Sequence, residues 1–217
     1  MKRSEKANIA HKILDRIYKK VPIPLMHRNK FELVVAVLLS AQCTDERVNQ
    51  VTPILFKKAN TAKKMITIPK NTIYKIIRPC GLAPQKSKAI YELSRILVKK
   101  FKGRVPESFE ELEKLPGVGH KTASVVMSQG FGIAAFPVDT HIHRLAQRWG
   151  LTNGKNVVQT EKDLKRLFPK ESWSKIHLQI IYYGREFCTA KNCYGLTCKI
   201  CTTCYPYRKS PIKTKKA

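Results

Sequence analysis

The chain has 217 residues, enough to bury a substantial core in one domain or two small ones. Its 42 Lys and Arg against 15 Asp and Glu give a formal net charge of +27, which points to a polyanionic partner: nucleic acid first, an anionic membrane surface second, with a general preference for lysine in a soluble protein as the plain alternative. No apolar run reaches the roughly 20 residues that cross a bilayer and no signal-peptide core opens the chain, so a cytoplasmic protein is expected.

An amphipathic helix is expected over residues 3–19, where Ile9, Ile13 and Ile17 recur at helical spacing before Pro22 and Pro24. From Lys30 the segment FELVVAVLLSAQ is nearly all apolar. Its length of about 12 residues favours a buried central helix, although Val34, Val35, Ala36 and Val37 would also suit a strand. The run ends at Gln42, whose amide needs a partner; nearby backbone would serve, and so would a ligand or DNA. Thr44 or Asp45 caps the next helix, DERVNQVTPILFKK, in which Pro53 marks a kink or boundary. Short helices follow at about 61–66 and 71–77, punctuated by Pro69 and Pro79, and Cys80-Gly81-Leu82 forms a turn. Ile90, Leu93, Ile96 and Leu97 space a longer helix over 85–101, and Ser108 with Glu111 makes a capping box for FEELEKL. Further helices are expected at 140–149, 157–168 and 172–184, with a cysteine-rich stretch directly after them. No alternating strand appears, so the fold class is all-α.

The stretch LPGVGHKTASVVMSQGFGIAAFPVDTHIH, from Leu115 to His143, concentrates the chemistry. Pro116 fixes φ, and Gly117 and Gly119 permit backbone conformations closed to other residues, so LPGVG can join two helices in a tight hairpin. Its amides, with those opening the next helix, suit a phosphate. The glycine spacing and the lack of a preceding strand do not fit a nucleotide-binding GxxxxGK[ST] loop. Lys121 is either one more solvated lysine or a nucleophile placed beside that turn. At the reference pKa near 10.4, less than about 0.1% of an amine is neutral at pH 7, so a nucleophilic role needs a favourable setting. Asp139 is the sole acid between Glu113 and Glu161; it can take a proton or steady a developing sugar cation. A lysine, a carboxylate and a phosphate grip together suit attack at C1′ of an extruded nucleotide with loss of the base, then strand cleavage by β-elimination. His141 and His143 would orient groups near Asp139 or simply make structural hydrogen bonds.

LLSAQCTD (38–45), LPGVGHKTA (115–123), VDTHIHR (138–144), GRE (184–186) and the terminal cysteines together resemble bacterial endonuclease III, in the helix-hairpin-helix superfamily of DNA glycosylases, over roughly residues 5–205. The resemblance implies a six-helix barrel at 22–132 with the helix-hairpin-helix motif at about 108–130. It implies a second helical domain, made of 1–21 and 133–217, that carries an iron–sulfur loop, with the active site in the cleft between the two. The function it implies is that of a bifunctional glycosylase and abasic-site lyase, acting in base excision repair on oxidised or ring-saturated pyrimidines in damaged double-stranded DNA. Lys121 would be the Schiff-base nucleophile and Asp139 its essential acid. Gln42 would fill the gap left by the flipped nucleotide and Leu82 would be an apolar wedge, with Gly117, Val118, Gly119, Thr122 and His141 completing the DNA contacts. A monomer associated with the nucleoid is expected, without a membrane partner. Lys121 sets the chain apart from adenine-mismatch glycosylases, and its combination with Gln42, Asp139 and the cysteines sets it apart from a module that only binds DNA.

The cysteines depart from the family's C-x6-C-x2-C-x5-C pattern around a [4Fe–4S] cluster. Here the order is Cys188-x4-Cys193-x4-Cys198-x2-Cys201-x2-Cys204, and an overlay from Cys188 puts Gly195 at the second ligand. Five thiols are available for four irons. The expected set is Cys188, Cys198, Cys201 and Cys204; the rival set has Cys193 in place of Cys201, and zinc is a further alternative because four thiolates also suit it.

Overall fold

The uninterrupted apolar stretch Leu33–Leu39 cannot present a polar face, so such a segment must be covered on all sides. The computed structural model describes all 217 residues and buries this run as α2 (Lys30–Leu39), with every residue from Phe31 to Leu39 in the interior. The strand alternative for Val34–Val37 is thereby removed. Asn29 starts α2, its side chain accepting from the Glu32 amide at 2.9 Å. Glu32, buried inside the first turn, in turn accepts from the Arg28 amide at 2.7 Å.

The chain contains twelve α-helices and no strand. Two compact units are built from it: Ile23–Ile133, and Met1–Pro22 together with Ala134–Ala217. In the first unit α2 packs against α3 (Asp45–Lys58), α6 (Ala83–Phe101), α8 (His120–Val125) and the π-turn Val126–Gly130 that extends α8. Around these lie α4 (Ala62–Met65), α5 (Lys70–Ile77) and α7 (Phe109–Glu113). Thr44 rather than Asp45 caps α3, accepting from the Arg47 amide at 3.3 Å, and Pro53 sits inside that helix without ending it. Ser108 caps α7 through the Glu111 amide at 3.3 Å.

In the second unit α1 (Arg3–Ile17) packs on α10 (Val157–Leu167), α11 (Trp173–Glu186) and α12 (Lys199–Cys204), while α9 (Thr140–Arg148) packs on α10 and α11. Leu14, Phe136, Trp149 and Tyr183 are the large side chains at its centre. α12 falls within the cysteine-rich stretch, where no helix is expected from the sequence; Ile200, Cys201 and Cys204 form its buried face. His143 is also buried here, with Nδ1 2.8 Å from the Thr160 hydroxyl.

Burial holds the His143 imidazole below the ordinary histidine range, against an opposing backbone hydrogen bond at Lys216. The unfolded chain therefore takes up a proton that the fold resists, and the stability contribution, complete above the unfolded pKa near 6.5, is lost as pH falls through it. Denaturant unfolding should give a free energy that declines between about pH 7 and about pH 5.5, with a shallower slope in His143→Gln.

Candidate active site and metal centre

The end of α2 shows how an internal helix terminus is satisfied. Its last carbonyls lack intrahelical partners, and the Lys86 ammonium, reaching in from the first turn of α6, donates to the carbonyls of Leu39 at 2.9 Å and Ala41 at 2.7 Å. A third bond, at 2.9 Å, goes to the carbonyl of Cys80, where the 3-10 turn Arg78–Cys80 ends. Lys86 is 5% exposed. Burial holds its ammonium below the ordinary lysine range, against the opposing pull of the Cys43 and Cys80 thiols, and burial also drives the Cys80 thiol up to about 12. The two loops tied in this way carry Gln42 and Leu82, both exposed and both left-handed, with φ of 52° and 49°. No intramolecular hydrogen bond holds the Gln42 amide. Lys86 has a sequence signature, since it stands at i−4 and i−7 to Ile90 and Leu93 on the apolar face of α6.

The hairpin between α7 and α8 depends on one glycine. Gly117 has φ of 78°, and a Cβ there would lie 2.7 Å from Leu38 Cδ1 and 3.0 Å from Ala89 Cβ, so only glycine lets the turn rest on α2 and α6. Val118, buried, anchors the same turn, and its amide donates to the Leu115 carbonyl at 3.0 Å. Gly119 differs from expectation. Its φ of −92° and ψ of 178° are extended backbone open to any residue, and a Cβ there meets nothing within 4 Å. Its value lies in the open space above it. The first α8 bond runs from the Ala123 amide to the Gly119 carbonyl, which leaves the opening amides of the helix outside the ladder. Lys121 is exposed in this opening turn, Thr122 is half-buried beside it, and His120 is 2.7 Å from Glu113 across the hairpin.

Asp139 belongs to the other compact unit, where it caps α9: Oδ1 accepts from the Ile142 amide at 2.9 Å. One carboxylate oxygen is thus fixed by the helix it starts. His141, half-buried in the first turn, lies with Nδ1 3.4 Å from Arg144 Nη2. Arg144 also donates to the Gly184 and Cys188 carbonyls, each at 3.1 Å. His143 points into the core instead, as its Thr160 bond requires.

Four buried thiols, those of Cys188, Cys193, Cys198 and Cys201, lie within 4.8 Å of one another and form a group able to hold a metal. The structure brings in Cys193 and leaves out Cys204, so the gathered set is neither the expected set nor the rival. The reason is local. Cys204 lies on the α12 face toward α1, its Sγ 3.9 Å from the Lys6 carbonyl. Gly195 occupies the family's second ligand position in a turn with φ of 85°, where a Cβ would lie 2.6 Å from Arg208 Nη1. Hydrogen bonds from Cys188 and Cys201 hold the Cys198 thiol low, which pushes those two thiols up in turn; at Cys193 burial pushes the thiol up but amides of Cys198 and Thr197 outweigh it and hold it low. Arg148 Nη1 lies 3.4 Å from Cys188 Sγ and donates to the carbonyls of Cys188 and Thr189.

Two sets of substitutions test the first unit. Gly117→Ala should lower stability by about 1–3 kcal/mol, through both the left-handed backbone and the clash; Gly119→Ala, at a helix N-cap where alanine is the poorer cap, should cost no more than about 1 kcal/mol in thermal unfolding yet weaken DNA binding in a titration. Lys86→Met should cost about 2–4 kcal/mol in denaturant unfolding by stranding three carbonyls.

Against this geometry stand the known proteins that the chain resembles. The model of the HhH-GPD superfamily of base excision DNA repair proteins matches residues 35–170. Endonuclease III of Bacillus subtilis (strain 168) is 43% identical over 204 residues, covering 92% of this chain and 93% of its own. Endonuclease III of Synechocystis sp. is 40% identical over 193 residues, covering 88% of each. A solved structure of a trapped endonuclease III–DNA covalent intermediate, in an estranged-adenine complex, superposes with a TM-score of 0.88 at 39% identity, covering 92% of this chain and 94% of the other. The chain belongs to the HhH-GPD superfamily of base excision DNA repair proteins and, within it, to the endonuclease III family.

Proposed function

We propose that this protein is a bifunctional DNA glycosylase and abasic-site lyase of base excision repair, acting on oxidised pyrimidines in duplex DNA. The observation that carries the reading is the likeness, over 92% of the chain, to an endonuclease III caught as a covalent intermediate with DNA. A covalent intermediate requires a nucleophile, and Lys121 stands exposed at the opening of the hairpin's second helix.

In this reading, DNA phosphate docks on the hairpin amides from Gly117 to Gly119 and on Thr122, attracted by the charge of +27. The target nucleotide leaves the stack. Gln42 fills the vacated space, and Leu82, 49% exposed, wedges beside it. The unprotonated Lys121 amine attacks C1′; the bond from C1′ to the base breaks, and the base departs with the bonding electrons. Loss of the amine proton and opening of the sugar yield the Schiff base. Removal of a C2′ proton then expels the 3′ phosphate, and water releases Lys121. Asp139 serves the sugar cation and the proton transfers, with His141 beside it as a DNA contact. The protein works as a monomer on chromosomal DNA. No helix is long and apolar enough to cross a membrane.

The family relation implies a [4Fe–4S] cluster near the C-terminal cysteines, where four buried thiols form the centre described above. No step of the chemistry above passes through that centre.

Borohydride added to the protein with duplex DNA carrying thymine glycol should trap a covalent adduct, and Lys121→Ala should lower its yield by at least about 100-fold while leaving DNA binding within a few-fold. Trapping that survives in Lys121→Ala would reject this lysine as the nucleophile; binding without base release would reject the enzymatic reading.

A further inference from the structure

The thiol centre has the dimensions of a single ion. A tetrahedral zinc site with bonds of about 2.3 Å sets its sulfurs about 3.8 Å apart. Here Cys188 Sγ and Cys193 Sγ lie 4.0 and 3.9 Å from Cys201 Sγ, and no pair in the group exceeds 4.8 Å. In a [4Fe–4S] cluster each thiolate binds a different iron and projects outward from the cube, which places the sulfurs about 6 Å apart. Accepting that cluster would drive the four sulfurs outward into close-packed surroundings, since Cys188, Cys193, Cys198 and Cys201 are all buried, as are the neighbouring Tyr183 and Ile200. The cluster implied by the family does not fit this arrangement.

The chain's own sequence explains the difference. At the family's second ligand position, Gly195 holds a left-handed turn that a cysteine could not enter without strain and without striking Arg208. Cys193, two residues earlier, turns its sulfur inward in its place. At the family's last position, Cys204 faces the Lys6 carbonyl rather than the other thiols; Cys201, one helical turn earlier, joins the group. The substitution of two ligands therefore draws the site together, to a C-x4-C-x4-C-x2-C set.

We propose that Cys188, Cys193, Cys198 and Cys201 bind one tetrahedral zinc ion in place of the iron–sulfur cluster of the family. Four thiolates and a d¹⁰ ion with no redox chemistry make a closed, structural site. The Arg148 guanidinium, with Nη1 3.4 Å from Cys188 Sγ, supplies a positive charge beside the thiolate ligands. The ion pins the loop after α11 to the start of α12, where Cys198 is the residue preceding the helix and Cys201 lies in its first turn. The proposal is independent of the chemistry assigned to Lys121.

The full chain should be produced with both iron and zinc supplied and purified without oxygen, then analysed for metal and sulfide and by X-ray absorption. The expected result is one zinc per chain with sulfur neighbours only, no iron–sulfide absorption in the visible, and zinc retained under anaerobic challenge with iron and sulfide. Cys204→Ser should keep its zinc, whereas Cys193→Ser should lose at least about tenfold in zinc affinity by chelator competition, with helical content followed in both. Four irons and four sulfides per chain with metal–metal scattering would overturn the proposal, as would a folded chain holding no stoichiometric metal. Loss of zinc from Cys204→Ser but not from Cys193→Ser would overturn the ligand set. Should Cys193→Ser fail to fold, the metal content of the parent and of Cys204→Ser still decides.

Discussion

Three carbonyls converging on one ammonium are the constraint on which two exposed loops of the first unit depend. A helix that ends in the interior leaves acceptors that water cannot reach. α2 ends in this way at Leu39, and so does the turn that closes at Cys80; Lys86 answers both with a single charge. A neutral donor could not make three such bonds, and a cation also suits the negative end of a helix dipole. The result is that the loops bearing Gln42 and Leu82, forty positions apart in the chain, share one anchor. Their side chains remain exposed because the backbone, and not the side chains, is what is tied down.

Packing and openness are separated in a similar way along the hairpin. Gly117 is a packing residue: its missing Cβ is the space into which Leu38 and Ala89 fit. Gly119 has no such burden, and its open face is available to a phosphate. Lys121 follows two positions later, where it is held by backbone geometry rather than by side-chain partners. The large positive charge is spread through the chain rather than concentrated at these residues, which suits long-range attraction of DNA.

Apolar spacing makes most of the helices legible in the sequence, because α3, α6 and α11 each bury a face that repeats at the helical period, while α2 is given by the length of a nearly continuous apolar run. The motif from Leu115 to His143 is legible for a different reason: glycine, lysine and a solitary aspartate are chemically distinct from their surroundings. What is hidden depends on partners far away in the chain. Lys86 looks like any lysine until the carbonyls of Leu39 and Ala41 meet it. α12 is masked because its buried face is made of cysteines, which suggest a ligand loop more strongly than a helix. The choice between Cys193 and Cys204 turns on the left-handed backbone at Tyr194 and Gly195, with φ of 48° and 85°, which no spacing rule contains. Gly119 shows the opposite error, a glycine read as conformationally necessary that is extended and unstrained.

The cap that Asp139 provides to α9 ties the proposed acid to the integrity of the fold. Loss of a capping carboxylate costs a helix about 1 kcal/mol, so most replacements at this position penalise folding as well as any chemistry. Asparagine and serine are the natural exceptions, since each keeps an oxygen for the Ile142 amide. Under selection the position is therefore asymmetrically buffered: drift toward residues without a capping oxygen is opposed by the fold itself, even in a lineage where the proposed chemistry is relaxed.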